Sequence, residues 1–175
     1  MEKDPLRVAV VGLGKMGFLH CGILNVLPGV ELAGVCEAAS LTRRIIKKVL
    51  RKVPVVADVS EFSSLDLDAL FITTPTSTHY TVARTALEAG IAENIFVEKP
   101  LSSSYADSSN LSDLMSGKGV SMVGYVRRFM VTFMKGKELL KQGPLESHFL
   151  SKLICVLRIS LIFMTLLFPL LEGGF

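Results

Sequence analysis

The sequence predicts an α/β fold built on a doubly wound parallel sheet. Short apolar, β-branched segments alternate along the chain with helical patterns, and parallel strands need connections of that length. The 175 residues suffice for one sizeable core. Hydrophobic residues make up 50% of the chain and charged residues 20%, a balance that excludes a disordered or low-complexity polypeptide.

The predicted strands are short and mainly apolar, and each predicted helix has apolar residues at helical spacing or a capping residue. The predicted strands are Val8–Val11, Val30–Cys36, Leu70–Thr73, Ile95–Val97 and Val120–Gly124. The first predicted helix follows Gly17 and carries the apolar residues Phe18, Leu19, Ile23, Leu24 and Leu27. Another helix is predicted to be capped by Ser102–Ser104 and to run through Met115. The other predicted helices are Leu41–Leu50, Thr78–Glu88 and Phe129–Lys141.

The end of the chain differs in composition from the rest, because Leu153–Leu171 is almost continuously apolar. We therefore expect a main domain over residues 1–145 and an apolar extension over residues 146–175. The extension is interpreted as an incomplete start of a second domain, or as an altered, frameshifted end. A membrane span is less favoured, because 19 residues barely reach the roughly 20 that a spanning helix needs and Arg158 interrupts them.

Charge and cysteine content exclude several classes of protein. The 19 basic and 16 acidic residues leave a net charge of +3, too small and dispersed to predict nucleic-acid binding. Cys21, Cys36 and Cys155 are widely spaced, which argues against a disulfide framework and a metal site and favours a reducing cytoplasm. Residues 1–7 are charged and show no secretory signal.

A glycine motif follows the first predicted strand. It matches GxGxxG and consists of Gly12, Leu13, Gly14, Lys15, Met16 and Gly17. Gly12 permits a tight turn, Gly14 lets the backbone approach a pyrophosphate, and Gly17 lets the helix pack closely on the strand. A bound pyrophosphate would meet the free N–H groups and the positive end of the helix dipole. The alternative is a glycine-rich turn without a ligand.

Glu37 ends the second predicted strand, 20 positions after Gly17. An acidic residue at this place can accept hydrogen bonds from the ribose hydroxyls of a dinucleotide. Its charge would repel a 2′-phosphate, so the sequence slightly favours NAD over NADP. Arg43 and Arg44 in the next helix leave NADP open, although a solvated helix face is the more favoured interpretation of both.

Three further segments of the chain carry a resemblance to a known family. They are Thr73–His79, with the sequence TTPTSTH, and Glu98-Lys99-Pro100 followed by Gly124–Phe129. Together with the glycine motif and Glu37, they resemble the Gfo/Idh/MocA family of NAD(P)-dependent oxidoreductases, which act on sugars, polyols and related compounds. The resemblance covers about residues 6–145 and implies a Rossmann NAD(P)-binding domain.

The resemblance also implies roles for individual residues. Thr74, Pro75 and Thr76 would border the nicotinamide half of the cofactor. His79 would either contact the cofactor or bond to nearby backbone, and Glu98 belongs to the cofactor-binding set. Tyr125 and Arg127 would line the substrate cleft or a hinge, with structural packing as an equal alternative.

Lys99 is the catalytic candidate that the resemblance implies, because the lysine of this motif reaches the oxygen at the reacting carbon. The residue before a proline is biased to extended backbone, which would project Lys99 from the strand end. An ammonium group can hydrogen-bond an alkoxide or carbonyl while hydride moves. We therefore expect hydride transfer between a nicotinamide cofactor and a sugar or polyol.

The chain departs from the family in its length. Family members continue with a second α/β domain that supplies an Asp and His motif, whereas this chain ends at Phe175. Activity of the chain alone is therefore open, and a homo-oligomer is doubtful. The alternative function is a non-catalytic dinucleotide-binding module, or a truncated pseudoenzyme, whose tail docks a partner or membrane. A methyltransferase is disfavoured, because its usual GxGxG loop is incomplete here.

Overall fold

The computed structural model describes residues 4–141. By its internal contacts the chain divides into two units, Met1–Tyr125 and Val126–Phe175. The first unit contains the whole predicted sheet. The predictions for residues 146–175 and for Cys155 lie outside the described residues, so the proposed domain boundary at residue 145 stays a prediction.

Six parallel strands form one sheet in the first unit. The strands are β1 (Leu6–Val11), β2 (Val30–Cys36), β3 (Val55–Val56), β4 (Ala69–Ile72), β5 (Asn94–Val97) and β6 (Ser121–Val123). Their order in the sheet is β3-β2-β1-β4-β5-β6. The chain builds outward from β1 to one edge and then from β4 to the other, so the strand order reverses between β1 and β4. This topology confirms the predicted doubly wound α/β fold.

Among the described residues, four α-helices belong to the first unit and one to the second. They are α1 (Lys15–Val26), α2 (Ser40–Val49), α3 (Thr76–Glu88) and α4 (Tyr105–Met115), with α5 (Val131–Lys141) in the second unit. Short 3₁₀ helices cover Val59–Ser64 in the first unit and Val126–Phe129 in the second. The predicted cap of α4 is confirmed, because the Ser104 hydroxyl accepts a hydrogen bond from the Asp107 N–H.

Alternate residues of the central strand enter two separate cores. Ala9 and Val11 pack with residues of α3 and α4, whereas Val8 and Val10 pack with residues of α1 and α2. All four side chains are buried. A strand buried on both faces explains why its sequence is a continuous apolar run without alternation.

The face of α1 that meets the sheet is narrow. Gly17, Cys21 and Leu24 are its buried residues, spaced four and three positions apart. Gly17 has no side chain, so the start of α1 lies close to β1. The apolar residues of the predicted helical pattern that remain about half exposed are Phe18 at 49%, Leu19 at 52%, Ile23 at 45% and Leu27 at 44%.

Two features are absent from the described residues, a membrane-spanning helix and a metal-binding group of side chains. Within residues 4–141, none of the helices combines the length and the apolar character that crossing a membrane requires. Over the same part of the chain, no group of three or more His, Cys, Asp or Glu side chains is arranged to hold a metal ion.

Candidate functional site

A cavity of about 780 Å³ opens at the carboxyl ends of the central strands. Its volume falls within the usual range for small-molecule sites, roughly 300 to 1,000 Å³. It lies where the strand order reverses, which is the usual ligand position in open α/β sheets. Residues of five segments line it: Val11–Met16, Cys36–Ala39 with Thr42, Ala57–Val59, Thr73–Pro75, and Thr78 with Val82.

The three glycines of the loop after β1 meet different surroundings. Gly12 has a positive φ of 89°, and a Cβ there would lie 2.8 Å from the Thr74 Cα. A Cβ on Gly17 would overlap the carbonyl group of Gly12. A Cβ on Gly14, in contrast, would have no heavy atom within 4 Å. Gly12 and Gly17 are therefore required by packing, whereas Gly14 leaves open space at the cavity.

The N-terminus of α1 lies at this cavity. Gly14 is the N-cap residue, and no side chain caps it within the described chain. The first-turn N–H groups of a helix lack intrahelical partners and carry a partial positive charge. Lys15 and Met16 of this turn line the cavity. The geometry is suited to an anionic group such as a pyrophosphate.

Glu37 joins the glycine loop to the end of β2. Its Oε2 accepts a 2.8 Å hydrogen bond from the Leu13 N–H, and its Oε1 accepts one of 2.8 Å from the Ala39 N–H. Arg43 Nη1 donates to the carbonyl oxygens of Glu37 at 2.7 Å and Ala38 at 2.9 Å. Each carboxylate oxygen has a second acceptor position, so Glu37 can still accept a hydrogen bond from a ligand hydroxyl.

Two consecutive threonines follow β4 and have different hydrogen bonding. The Thr73 hydroxyl lies 3.0 Å from the Val11 carbonyl oxygen and 2.7 Å from that of Gly12, which ties β4 to the glycine loop. The Thr74 hydroxyl is buried and has no partner among the described residues, although Thr74 lines the cavity. Buried hydroxyl groups are normally paired, so this orphaned group fits a polar ligand in the cavity.

A second carboxylate lines the cavity near Glu37. Asp58 follows β3, and hydrogen bonds from the Ser60 hydroxyl and N–H lower the pKa of its carboxyl group. Burial raises the pKa of the neighbouring Cys36 thiol to about 12, and the negative charges of Asp58, Glu37 and Glu61 contribute to this rise. The β2–β3 end of the cavity is therefore acidic, whereas the N-terminus of α1 favours anions.

Glu98 lies at the end of β5 and is buried. Its Oε1 lies 3.1 Å from His20 Nε2, and its Oε2 accepts a 3.1 Å hydrogen bond from the Lys99 N–H. Lys99 itself is exposed, and its peptide bond to Pro100 is cis. Neither Glu98 nor Lys99 is among the described residues that line the cavity.

His79 is buried beneath the loop that follows β4, with 1% of its surface exposed. Its Nδ1 lies 2.8 Å from the Pro100 carbonyl oxygen and its Nε2 lies 2.8 Å from the Thr74 carbonyl oxygen. Both ring nitrogens thus contact main-chain oxygens. The geometry favours backbone bonding, the second of the two interpretations given above for His79, over direct contact with a cofactor.

Residues 6–125 match the model of the family described as "Oxidoreductase family, NAD-binding Rossmann fold", GFO_IDH_MocA. The match spans more than half of the chain and coincides with the first unit and its sheet. The chain belongs to the Gfo/Idh/MocA family. Residues 6–125 are therefore an NAD-binding Rossmann domain of an oxidoreductase family, which confirms the resemblance carried by the sequence motifs.

Relatives within the Gfo/Idh/MocA family include several inositol dehydrogenases. The chain is 34% identical over 149 residues to scyllo-inositol 2-dehydrogenase (NAD(+)) of Bacillus subtilis (strain 168), a match that covers 82% of this chain and 42% of the relative. It is 32% identical over 149 residues to inositol 2-dehydrogenase of Rhodococcus erythropolis, again covering 82% of this chain and 42% of the relative.

A solved structure shares this fold. Myo-inositol 2-dehydrogenase from Lactobacillus plantarum superposes with a TM-score of 0.69 at 27% identity, covering 80% of this chain and 42% of that protein. The chain therefore spans about 42% of the length of these Gfo/Idh/MocA proteins.

The structure brings together most of the residues that the family resemblance assigns to the cofactor. Those that line the cavity are Gly12, Leu13, Gly14, Lys15, Met16, Glu37, Thr74 and Pro75. Those that do not are Gly17, Thr76, His79 and Glu98, and Lys99, the catalytic candidate, does not line it either. Gly17 packs against the loop, and Thr76 begins α3. Tyr125 is exposed in the first unit and Arg127 belongs to the second, so their roles stay predictions.

Two residues of this site were missed by the sequence analysis. His20 contacts Glu98 from 78 positions away, and no local pattern connects the two. Asp58 follows β3, a two-residue strand too short to give a periodic pattern. The signal that was available for Asp58 is the spacing to Glu61, which is typical of a capping box.

Proposed function

We propose that the cavity binds a nicotinamide dinucleotide, with its pyrophosphate at Gly14 and the N-terminus of α1. The observation that carries the proposal is the open space at Gly14, beside a helix N-terminus that no described side chain caps, within a loop whose other glycines are required by packing. The orphaned Thr74 hydroxyl supports it, because a bound cofactor would offer this buried group a hydrogen-bond partner.

NAD is the cofactor that the charges favour. The Glu37 carboxylate accepts two main-chain N–H groups and can accept a ribose hydroxyl as well, whereas a 2′-phosphate would face its negative charge. Asp58 adds a second carboxylate to the same cavity. Arg43, which the sequence left open as a phosphate ligand, uses its Nη1 to hold the carbonyl groups of Glu37 and Ala38.

The proposed reaction is hydride transfer between the cofactor and a hydroxyl or carbonyl carbon of a sugar or polyol. The nicotinamide ring supplies the hydride acceptor or donor when the cofactor is bound. Lys99 would donate a hydrogen bond from its ammonium group to the oxygen of the reacting carbon, where negative charge develops. The inositol dehydrogenases among the relatives support a polyol as the substrate class.

The cysteines support a reducing compartment, the cytoplasm, for this activity. Cys21 and Cys36 are buried and free, and burial raises the pKa of both thiols. Buried thiols of this kind pack as small apolar groups.

A non-catalytic dinucleotide-binding module is the second candidate function. The observation that favours it is that the described residues lining the cavity all lie between Val11 and Val82, whereas Lys99 is not among them. The proposed dinucleotide cavity is therefore formed without Lys99. Turnover, in contrast, requires Lys99 and a substrate site.

Calorimetric titration of the 175-residue chain with NAD, NADP and ADP-ribose tests the proposal. ADP-ribose lacks the nicotinamide, so it reports on the contacts of the adenine, the riboses and the pyrophosphate. We expect binding of NAD and ADP-ribose, and weaker binding of NADP. Absence of binding by all three to folded protein would contradict both candidate functions.

NADH formation with an inositol, followed by absorbance, then separates the two functions. Turnover that Lys99→Ala abolishes while NAD affinity is retained supports the dehydrogenase, because a group that acts in the transition state contributes little to cofactor binding. Tight NAD binding without turnover in the wild-type chain supports the binding module.

A further inference from the structure

The residues on both sides of Lys99 are held by histidines from other elements. Before it, Glu98 contacts His20 of α1 at 3.1 Å. After it, the Pro100 carbonyl oxygen lies 2.8 Å from His79 of α3. The backbone on the two sides of Lys99 is therefore contacted by His79 and by Glu98.

The Glu98 carboxylate has two contacts, one on each oxygen. Oε1 faces His20 Nε2, and Oε2 accepts the N–H of Lys99 at 3.1 Å. The Glu98 side chain is only 9% exposed, so water cannot readily replace a lost partner. Removing the histidine donor would leave a buried carboxylate oxygen unpaired, which is costly, and the carboxylate would then shift toward another donor.

Packing fixes the position of the His20 ring. Its centroid lies 5.0 Å from that of Phe96 and 5.8 Å from that of Phe71, and these two phenylalanine rings stack on each other at 5.1 Å. Gly124 leaves the room that Glu98 needs, because a Cβ there would lie 3.2 Å from the Glu98 Cδ. The imidazole is therefore a rigid donor aimed at a confined carboxylate.

We propose that His20 is a positioning residue for Lys99, acting through Glu98. The proposal rests on the proposed catalytic role of Lys99. His20 does not line the cavity in the described part of the chain, and it lies on α1, the helix that begins at the glycine loop. The pair His20–Glu98 thus links the helix of the proposed pyrophosphate site to the strand end that carries the proposed catalytic lysine.

Two substitutions of His20 separate hydrogen bonding from ring packing. His20→Phe keeps an aromatic ring against Phe71 and Phe96 but removes the donor. His20→Gln removes the ring but keeps an amide N–H at a similar distance from the backbone. A structural role of the ring predicts that the Phe variant resembles wild type, whereas positioning through Glu98 predicts that the Gln variant does.

The readout is the backbone amide of Lys99, followed by ¹H–¹⁵N NMR chemical shift and by hydrogen exchange in the 175-residue chain. We expect His20→Phe to shift this resonance and to accelerate its exchange about tenfold, as for the loss of one hydrogen bond, and His20→Gln to restore both toward wild type. NAD titration should give the same affinity for both variants and the wild type.

Two results would overturn the proposal. One is a Lys99 amide that is unchanged in His20→Phe, and the other is an equal change in His20→Gln. Failure of the proposed function is seen separately, as a wild-type chain that binds no NAD. The Lys99 amides of the wild type and the variants can still be compared in that case. Glu98→Gln provides a second variant, which should disturb the Lys99 amide without altering the ring contacts of His20.

Discussion

The main-chain N–H of Leu13 donates a 2.8 Å hydrogen bond to the carboxylate of Glu37, 24 residues later in the chain. This bond joins the loop after β1 to the end of β2, the two segments that form one side of the cavity. The carboxylate that is proposed to bind the ribose therefore also holds the glycine loop. One substitution at Glu37 should affect both stability and cofactor choice.

Glu37→Gln is expected to lower the free energy of unfolding by about 1 to 3 kcal/mol. A glutamine has one acceptor oxygen, whereas the N–H groups of Leu13 and Ala39 now use two. Removing the charge should also raise the affinity for NADP relative to NAD. Urea unfolding and calorimetric titration measure the two effects.

Glu31→Gln is the matched control on the same strand. Glu31 forms an exposed ion pair with Arg7 at 3.0 Å, so its loss should cost less than about 1 kcal/mol and leave the cofactor ratio unchanged. Equal effects of the two substitutions would argue against the linking role of Glu37.

Thr74→Val and Thr73→Val should differ in their effects on the free energy of unfolding. The Thr74 hydroxyl is buried without a described partner, so valine should leave the free energy of unfolding equal or higher. The Thr73 hydroxyl bonds to the glycine loop, so valine there should lower it by about 1 to 3 kcal/mol. Thermal unfolding of the two variants makes the comparison.

Thr74→Val should nevertheless weaken NAD binding, by roughly threefold to tenfold for one neutral hydrogen bond. An unchanged NAD affinity in this variant would show that the orphaned hydroxyl has no role in the site.

The raised pKa of the Cys36 thiol predicts that the protein loses stability at alkaline pH. Burial raises the pKa of this thiol from its usual value of 9.0 to about 12 in the folded state. The unfolded chain releases this proton from about pH 9, so the thiol's contribution is complete below that pH and is lost as the pH rises toward 12. Urea unfolding at about pH 8 and about pH 10.5 should show a smaller decrease for Cys36→Ala than for wild type. Parallel decreases would contradict the prediction.

The sequence predicted the elements that have a strong apolar signal. The bounds of β2 agree in full, because Pro28-Gly29 precedes the strand and the charged Glu37 follows its last apolar residue. The helix α1 begins earlier than predicted, at Lys15, because the first residues of the helix belong to the glycine motif. The helix α3 begins earlier, at Thr76, because its first four residues are not apolar. The strand β3 was not predicted, since two residues give no periodicity.

The residues of the candidate site were likewise predictable only where a local sequence pattern marks them. Cavity residues that belong to short motifs, such as Gly14 and Glu37, could be predicted because their chemistry depends on local spacing. The contact of His20 with Glu98 could not, because it is made by packing between α1 and β5. Spacing likewise predicted a helix after Gly17 but not that Phe18 and Ile23 would stay about half exposed.

The comparison of Gly14→Val with Gly22→Val tests the central claim, dinucleotide binding at the glycine loop. A Cβ on either glycine would meet no heavy atom of a neighbouring element within 4 Å, and Gly22 lies on α1 away from the cavity lining. Neither substitution meets a steric clash, so thermal unfolding should report two folded variants.

Calorimetric titration with NAD is the decisive measurement on these variants. We predict that Gly22→Val binds NAD as the wild type does, whereas Gly14→Val loses at least about a hundredfold in affinity, because its side chain fills the space needed by the pyrophosphate. Equal NAD affinity for Gly14→Val and the wild type would contradict the account.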